Sequence, residues 1–510
     1  MLKTLLVIPP KYGIDYPPLG TPALLGYLKS KGVTAEQVDW NMEYCSSFES
    51  ENIDRSNANP YFHLLPDKPV SELPYGDNSY SSYFFIERLL SSPLLFQFIN
   101  DSKENPFHRF ILEKKLIDDI IKWKIGILGL SIISPSQVLF SFTLGHLLKQ
   151  AGLEIHIVIG GQWVSLYRKE ILKRKDFMAF FDSAVFFDGE TPLLKLIYEL
   201  SDKGDLSSVP NLICKKEDGF ILSNSHSVER LNNLPSPDFD GLPLNKYKTA
   251  SNGRISLTFE TSRECYWNKC VYCVDLPHPK QGYRVKNPSL VARDIKTLIE
   301  KYPLNELIIS DPAISPNQMM RISREIIKEN LKVSWWCFSR LDKHFTKEIF
   351  ELARMAGCRS VSFGMESANQ RLLDLVQKGV DLDTAKRVLK NCHEAGIEVQ
   401  LQMMVGLPTE TKEEALETIA FLIENRNILQ QVTFNVYYFT PGCLVYENPA
   451  KYGIIPQDDI LPFQFFIEFH SVKGISKKEA YSLIYLYNKL MEKYEQPPHP
   501  PLSPEGRGLR

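Results

Sequence analysis

The chain opens with short apolar runs separated by amphipathic stretches. Residues 2–9 (LKTLLVIP) predict a first buried strand, TPALLGYLKSKG predicts a helix that ends at Gly32, and VTAEQVDWN predicts a second strand. The continuous apolar run at 125–133 (IGILGLSII) is typical of another buried parallel strand. Strand and helix patterns then alternate to about residue 200, which predicts a doubly wound, Rossmann-like α/β domain over residues 1–228.

Two segments interrupt this alternation. Residues 46–115 are polar and irregular at first and then carry a helical pattern around Tyr83–Asn100, so we interpret them as an insertion or lid of the first domain. Residues 229–250 include ERLNNLPSPDFDGLPLNKYK, which is rich in Pro, Asp and Asn. That composition predicts a linker between two domains.

A second alternation of strands and helices occupies residues 251–445. Its six strands are predicted at 254–261, 306–311, 333–339, 360–366, 398–406 and 432–439. The pattern predicts a partial (β/α)6 version of the eight-fold TIM barrel, whose functional residues lie at the carboxyl ends of its strands. Residues 446–496 predict a helical C-terminal region, and the proline-rich tail 497–510 is predicted to be disordered.

Composition narrows the class of protein further. The 510 residues are 44% hydrophobic and 24% charged with a net charge of −2, which is typical of a globular protein and gives no electrostatic argument for a nucleic-acid partner. No apolar stretch is long enough to predict a membrane span. The nine cysteines, without a recognisable secretion signal, predict reduced thiols and a cytoplasmic location.

Three of the cysteines lie close together in the sequence TSRECYWNKCVYC, as Cys265, Cys270 and Cys273. A structural zinc site uses four ligands, commonly as two close pairs, and the nearest further candidate ligand is His278. Three thiolates that leave one position open suit an iron–sulfur cluster whose fourth iron binds another ligand. The spacing therefore favours a cluster, with a zinc site or three unrelated thiols as the alternatives.

With this cysteine triplet after its first strand, the second domain resembles the radical S-adenosylmethionine (SAM) superfamily. The common family spacing is C-x3-C-x2-C with an aromatic residue before the last cysteine; here the first gap has four residues, and Tyr272 holds the aromatic position. SFGMES places Glu366 where the family has a glutamate that contacts SAM. MMVGLPTET places Gly406 and Pro408 at the bend that lies along the adenine, and the motifs together cover residues 254–442.

The resemblance implies a 4Fe–4S cluster on the three cysteines and SAM on the fourth iron. One electron from the cluster would cleave SAM reductively to methionine and a 5′-deoxyadenosyl radical. The protein would bind and orient the cofactors and the substrate and would keep water and oxygen out of the site. The electron implies a donor such as flavodoxin or ferredoxin. Arg340 and Asp311, at predicted strand ends, are expected at the barrel mouth, where they contact SAM or substrate or else cap loops.

The N-terminal domain resembles the cobalamin-binding subclass of this superfamily, on the stretches PPLGTPALLGYLKSKG, GLSIISPSQ, IVIGGQW and FFDGETPLLKL. The pair Gly160-Gly161 would let the nucleotide tail of cobalamin cross the sheet, and residues 131–137 would form the loop beneath the corrin. The residues expected to contact cobalamin are Ser131, Gln137, Gly160, Gly161, Gly189 and Glu190. No Asp-x-His-x-x-Gly triplet occurs in this half, so no histidine ligand is expected below the cobalt; a Rossmann domain that has lost its cofactor is the alternative.

Together the resemblances imply a radical SAM enzyme that uses cobalamin to methylate an unactivated carbon of a small-molecule or peptide substrate. They identify no individual catalytic side chain. The alternatives are a cobalamin-dependent rearrangement or cyclisation without methyl transfer, and a non-catalytic iron–sulfur or cobalamin-binding protein. tRNA methylthiolation is disfavoured, because that family has a second cysteine triplet in its N-terminal domain, where this chain has only Cys45 and Cys214.

Overall fold

A seven-stranded sheet lies at the centre of the N-terminal half. The computed structural model describes residues 2–47, 59–64, 83–249, 255–274 and 282–494. The strands are β1 (Thr4–Ile8), β2 (Ala35–Asp39), β3 (Ile127–Ser131), β4 (His156–Gly160), β5 (Ser183–Val185), β6 (Leu212–Lys216) and β7 (Gly219–Leu222). Their order is β2-β1-β3-β4-β5-β6-β7; β1 to β5 are parallel, and β6 and β7 form an antiparallel edge.

Nine helices accompany this sheet in the described residues. They are α1 (Gly20–Ser30), α2 (Trp40–Ser47), α3 (Tyr83–Leu90), α4 (Leu95–Asn100), α5 (Pro106–Glu113), α6 (Leu116–Lys122), α7 (Val138–Gln150), α8 (Gln162–Ile171) and α9 (Glu190–Asp202). Because β1 lies between β2 and β3, the chain order reverses at β1, and a crevice is expected beyond the carboxyl ends of β1 and β3. All five residues of β1 are buried, as befits a strand covered on both faces.

The described part of the segment predicted as an insertion or lid belongs to the core. Phe85 of α3, Phe98 of α4, and Phe107 and Phe110 of α5 are each 0% exposed and pack in the same hydrophobic cluster as Leu128 of β3. The phenylalanines of these helices therefore pack in the core beside the sheet. Residues 48–58 and 65–82 of that segment lie outside the described residues.

A six-stranded parallel sheet forms the second half. Its strands are β8 (Ile255–Phe259), β11 (Leu304–Ile309), β12 (Ser334–Arg340), β13 (Cys358–Glu366), β14 (Glu398–Val405) and β15 (Leu429–Val436), in that spatial order. A small antiparallel pair, β9 (Ser262–Arg263) and β10 (Arg284–Val285), lies between β8 and the next helix. The intervening helices are α10 (Pro288–Lys301), α11 (Pro316–Lys328), α12 (Lys347–Met355), α13 (Gln370–Leu375), α14 (Leu382–Glu394) and α15 (Lys412–Glu424).

Alternating residues explain how this sheet folds. In β14 (EVQLQMMV), Val399, Leu401, Met403 and Val405 are buried, whereas the residues between them are partly exposed. One face of the strand therefore packs in the hydrophobic cluster that includes the surrounding helices, and the other face is open. The prediction of an α/β fold with a Rossmann-like domain and a partial barrel is confirmed.

The C-terminal region combines helices with a short hairpin. Its elements are α16 (Leu444–Glu447), β16 (Ile454–Pro456), β17 (Phe469–Ser471) and α17 (Lys477–Tyr494). Ala480, Leu483 and Tyr487 of α17 are buried in the cluster of the second sheet, so this helix covers β14 and β15. No helix in the described stretches is both long and apolar enough to cross a bilayer. The proline-rich tail lies outside the described residues.

The predicted linker is tied to both halves. Gln37 Nε2 donates to the carbonyl oxygens of Asp238 (2.8 Å) and Asp240 (3.0 Å), which attaches the linker to β2. Tyr302, at the end of α10, donates from its hydroxyl to the side chains of the same two aspartates at 3.1 and 3.0 Å. Phe239, only 1% exposed, packs in the core of the second domain. The segment therefore fixes the two halves against each other.

Candidate functional site

The three predicted metal-ligating cysteines lie on one loop after β9, beyond the carboxyl end of β8. Cys265 and Cys270 are half-buried, and Cys273 is exposed. In the described ranges, no three His, Cys, Asp or Glu side chains are arranged as a metal site. The structure therefore brings the thiols to one loop without gathering them into ligand geometry. His278 lies outside the described residues.

This cysteine loop is anchored on the segment that follows α13. Trp267 Nε1 donates to the carbonyl oxygen of Gln377 at 2.8 Å, and the Val271 amide donates to the carbonyl oxygen of Val376 at 3.1 Å. Gly379 has φ +66°, and a Cβ there would lie 2.0 Å from the Trp267 ring. Only glycine fits a left-handed conformation at such close approach, so Gly379 lets the loop seat on the barrel.

Glu366 lies at the end of β13, next to the aromatic residue of the cysteine loop. Its carboxylate accepts from Lys378 Nζ at 2.7 Å, and Lys378 Nζ lies 3.3 Å from the Tyr272 hydroxyl. Burial, and then the Glu366 carboxylate, raise the pKa of Tyr272 well above its ordinary value, so the phenol stays protonated. Lys378 was not predicted as a site residue, and its one signal in the sequence is the Lys-Gly pair that follows a predicted helix.

The Gly406 bend is held by a buried carboxylate. Glu410 Oε2 accepts from the backbone amides of Gly406 (2.5 Å) and Leu407 (3.0 Å), and its side chain is fully buried. Gly406 has φ +83°, and Pro408 is buried. Burial raises the pKa of Glu410 to about 7. Glu410 belongs to the motif MMVGLPTET, but the sequence did not predict that its carboxylate would bond the amides of the bend.

Asp311 supports the strand from which the cysteine loop starts. Its carboxylate accepts from the Thr261 amide and hydroxyl, both at 2.6 Å, and from the Ser262 hydroxyl at 2.7 Å. Burial raises the pKa of Asp311 to about 6. Asp311 was expected either to contact SAM or substrate or to cap a loop. In the structure its carboxylate caps the loop that begins at Thr261 and Ser262.

A buried ion network joins the two domains beside this loop. Arg263 of β9 donates to Asp188 (2.8 Å), Glu190 (2.5 Å) and Glu260 (2.6 Å). Asp188 and Glu190 belong to the N-terminal domain and are 7% and 4% exposed at their side chains. The network therefore crosses the domain boundary, and sequence reasoning did not find it.

Arg284 of β10 extends the same network. Its guanidinium donates to Asp188 and to Glu264 at 2.5 Å each, and to the carbonyl oxygen of Glu229 at 3.0 Å. Burial alone would raise the pKa of Asp188, but Arg263 and Arg284 together hold it below its ordinary value. Asp188 therefore stays ionised between two arginines.

A cavity of about 340 Å³ opens beyond the carboxyl ends of β1, β3 and β4. The second domain contributes Glu260 and Arg263 to its wall. Five of the six residues predicted to contact cobalamin line it, namely Ser131, Gly160, Gly161, Gly189 and Glu190. The cavity thus lies at the predicted crevice of the doubly wound sheet.

Gln137 is the sixth predicted contact, and it does not line this cavity. Its Oε1 accepts from the amides of Ile133 (2.8 Å) and Ser134 (3.1 Å), and its Nε2 donates to the carbonyl oxygen of Pro9 at 2.8 Å. The side chain is fully buried. The structure therefore gives Gln137 a part in shaping the loop after β3, not in lining the cavity.

Three helices begin at the cavity. Gly20 of α1 and Glu190 of α9 line it, and Gly161, which precedes α8, lines it as well. None of the three N-terminal caps is made by a side chain. Gly161 has φ +107°, and a Cβ there would lie 2.4 Å from the Ile132 carbonyl oxygen. The first-turn amide of Thr191 in α9 is bonded to Glu229 Oε1 at 2.9 Å, and that of Trp163 in α8 to the Ile132 carbonyl oxygen at 3.2 Å. The helix N-termini therefore favour an anionic group such as a phosphate through their dipoles, with only some of their amides free.

Two further cavities lie next to the first one. One of about 370 Å³ shares Gly161, Asp188 and Arg263 with the first and is bounded by Arg284. The other, of about 220 Å³, lies between the loop after β3 and Val274 of the cysteine loop. Its aromatic lining consists of Tyr12, Tyr83, Trp163 and Phe465. No described histidine lines any of these three cavities.

The fold and the cysteine loop together define the class of protein. Residues 259–422 match the family model of the Radical SAM superfamily, and that span includes the three cysteines, Glu366 and Gly406. This chain therefore carries a radical SAM domain.

Known proteins resemble the chain over both domains. An uncharacterised methyltransferase of Pyrococcus horikoshii is 26% identical over 389 residues, which cover 73% of this chain and 82% of that protein. The cobalamin-dependent SAM radical enzyme OxsB matches 97% of this chain and 67% of its own at 14% identity, with a TM-score of 0.67. The radical SAM methyltransferase TsrM of Kitasatospora setae matches 96% of this chain and 89% of its own at 15% identity, also with a TM-score of 0.67. At these identities the two structures show a shared fold.

Proposed function

We propose that the protein is a cobalamin-dependent radical SAM enzyme that methylates an unactivated carbon of a small-molecule or peptide substrate. The observation that carries the proposal is the cavity at the carboxyl ends of β1, β3 and β4, whose wall includes Glu260 and Arg263 of the cysteine-bearing domain. When bound, the cluster supplies the electron that cleaves SAM and cobalamin supplies the methyl group.

The residues around the cavity fit the nucleotide tail of cobalamin. The tail carries a phosphodiester, and the N-termini of α1, α8 and α9, whose dipoles favour an anion, lie at the cavity. Gly161 lines the cavity, and glycine is required there because a Cβ would meet the Ile132 carbonyl oxygen of the loop after β3.

The residues near the cysteine loop fit the cluster and SAM. The three cysteines lie on one loop, and a chain of hydrogen bonds joins Tyr272, Lys378 and Glu366 beside it. The Glu366 carboxylate can accept from the ammonium of SAM, while Lys378 offers a cation to the SAM carboxylate. The Gly406 bend, held by Glu410, would present the backbone to the adenine.

Product analysis tests the proposal. The protein is reconstituted anaerobically with iron, sulfide and hydroxocobalamin, then given SAM and a low-potential reductant. The expected products are 5′-deoxyadenosine together with S-adenosylhomocysteine, the latter only when cobalamin is present. An iron-loaded protein that leaves SAM intact would contradict the proposal. Cleavage to 5′-deoxyadenosine alone by a cobalamin-loaded protein would favour rearrangement or cyclisation.

Two sets of variants separate the cofactors. Alanine at all three cysteines should abolish iron uptake and SAM cleavage while cobalamin binding persists. Ser131→Trp places an indole in the cavity and should abolish cobalamin binding, read from the corrin absorbance, with iron content unchanged. Ser225→Trp is the matched control, because Ser225 is an exposed serine of the same domain. Equal cobalamin binding by both tryptophan variants would exclude this cavity as the site.

A further inference from the structure

We infer that Arg340 tunes the reduction potential of the cluster through the sulfur of Cys270. The inference rests on the proposed function, because it requires a cluster on the cysteine loop. It goes further by assigning to a barrel residue an electronic role that neither the cysteine spacing nor the SAM motifs contain. Arg340 touches a ligand of the cluster, so it acts as a positioning and tuning residue.

The geometry places the guanidinium of Arg340 directly against the cysteine loop. Arg340 is the last residue of β12 and is 5% exposed. Its Nη1 donates to Cys270 Sγ at 3.6 Å, within the range of an N–H···S hydrogen bond, and its Nη2 donates to the carbonyl oxygen of Lys378. The guanidinium carbon lies 4.7 Å from the centre of the Trp267 ring. Three independent contacts therefore fix its orientation toward the sulfur.

Among the described residues, no carboxylate pairs with the positive charge of Arg340. Within the described ranges Arg340 forms no salt bridge, in contrast to Arg263 and Arg284, which are each bound by at least two carboxylates. The neighbouring carboxylate of Glu366 is paired with Lys378 instead. In the part of the chain that the structure describes, the guanidinium charge of Arg340 therefore meets the Cys270 sulfur and the Trp267 ring and no carboxylate.

The sign of the effect follows from the charge balance of the cluster. Reduction by a one-electron donor adds one negative charge to a cluster already held by three thiolates. A cation and an N–H···S bond at one thiolate stabilise the more negative state, because both draw charge from the sulfur. Burial strengthens the interaction, since water does not screen it fully. Arg340 therefore makes the cluster easier to reduce.

The test is a redox titration of the reconstituted protein without SAM, followed by the EPR signal of the reduced cluster. Arg340→Gln removes the charge and keeps a donor for Lys378, and Arg340→Lys keeps a charge on a shorter group that cannot satisfy both contacts. We expect a tenfold less favourable reduction for R340Q, which is about 59 mV for one electron, and a smaller shift of the same sign for R340K. The control is Arg359→Gln. Arg359 is an exposed residue near the amino end of β13, and its side chain donates to the Ser334 hydroxyl.

Three outcomes would overturn the inference about Arg340, and a fourth would contradict the proposed function instead. An R340Q protein with full iron content and the wild-type midpoint potential would overturn the inference. If R340Q does not fold, R340K carries the test, and an unchanged midpoint potential in R340K overturns the inference. A shift in R359Q as large as that in R340Q would also overturn it. Failure of the wild-type protein to take up iron would instead contradict the proposed function, before any Arg340 variant is measured.

Discussion

Replacing Arg263 with methionine tests whether buried ion pairs lock the two domains together. Methionine has a similar length and no charge, so it preserves packing while it removes every hydrogen bond of the guanidinium. Asp188 keeps Arg284 as a partner. Glu190, in contrast, loses the cation with which it pairs, and Glu260 becomes a further unpaired carboxylate in the same wall.

The expected cost follows from burial. The side chains of Glu190 and Asp188 are 4% and 7% exposed, and that of Arg263 is 17% exposed. Removing one partner of a buried pair costs roughly 3–5 kcal/mol, because the remaining charge is left uncompensated. The matched control is Arg371→Met, whose pair with Glu414 is 49% exposed on the arginine side. An exposed pair of that kind is worth about 1 kcal/mol or less.

Hydrogen–deuterium exchange read by mass spectrometry measures this cost locally, which matters because a 510-residue chain need not unfold in one step. Peptides that cover β9 and residues 186–190 should open roughly 10²-fold to several 10³-fold more often in R263M, since each 1.4 kcal/mol is tenfold. R263M/E190Q should recover part of the protection, because it removes the stranded carboxylate. Protection in R263M equal to that in R371M would refute the reasoning. It would mean that apolar contacts, and not the ion pairs of Arg263, hold the two domains together.

Three more changes probe single features of the site. Glu366→Gln should weaken SAM binding about tenfold, measured by equilibrium dialysis, with iron content unchanged, because a charge-assisted hydrogen bond is lost; loss of iron would show a structural role instead. Because the folded pKa of Glu410 is raised to about 7 from 4.5, its carboxyl makes wild-type stability fall as pH rises from about 4.5 to 7. E410Q should lack that fall, a difference on the order of 3 kcal/mol in urea titrations, and parallel pH profiles would contradict it. Gly379→Ala should impair iron uptake, assayed after reconstitution, because its Cβ meets Trp267; normal uptake would show that the ring moves aside.

The strands were predictable because they are buried and their residues repeat simply. β14 alternates buried and partly exposed residues, and its predicted range differs from the observed one only at the last residue. β15 was predicted three residues too late, at 432–439 instead of Leu429–Val436. It lies at the edge of the sheet and starts with exposed glutamines, so its apolar signal is weak where the strand begins. The three-residue strands β16 and β17 are too short to produce any periodic signal.

The site was predictable only where its residues follow one another in sequence. The cysteine loop and the glycines at strand ends are local patterns, and the structure gathers the glycines at one cavity. Arg263 and Asp188 are 75 residues apart, and Lys378 meets Tyr272 across 106 residues, so no spacing rule joins them. Gln137 stands in a loop predicted to face a ligand, yet the two unpaired amides after β3 attract its side chain inward.

The polar groups buried at the domain boundary have a consequence for the chemistry proposed here. The linker is bonded to β2 and to the end of α10, Thr258 of β8 donates to the Pro17 carbonyl oxygen at 2.7 Å, and Arg263 ties β9 to the start of α9. These bonds hold the cavity of one domain at a set distance from the cysteine loop of the other. A reaction that passes a group between two bound cofactors depends steeply on that distance. A buried ion pair is often no more stabilising than a well-packed apolar replacement. The role that suits the buried arginines and carboxylates at the boundary is therefore to fix the geometry in which the two domains dock.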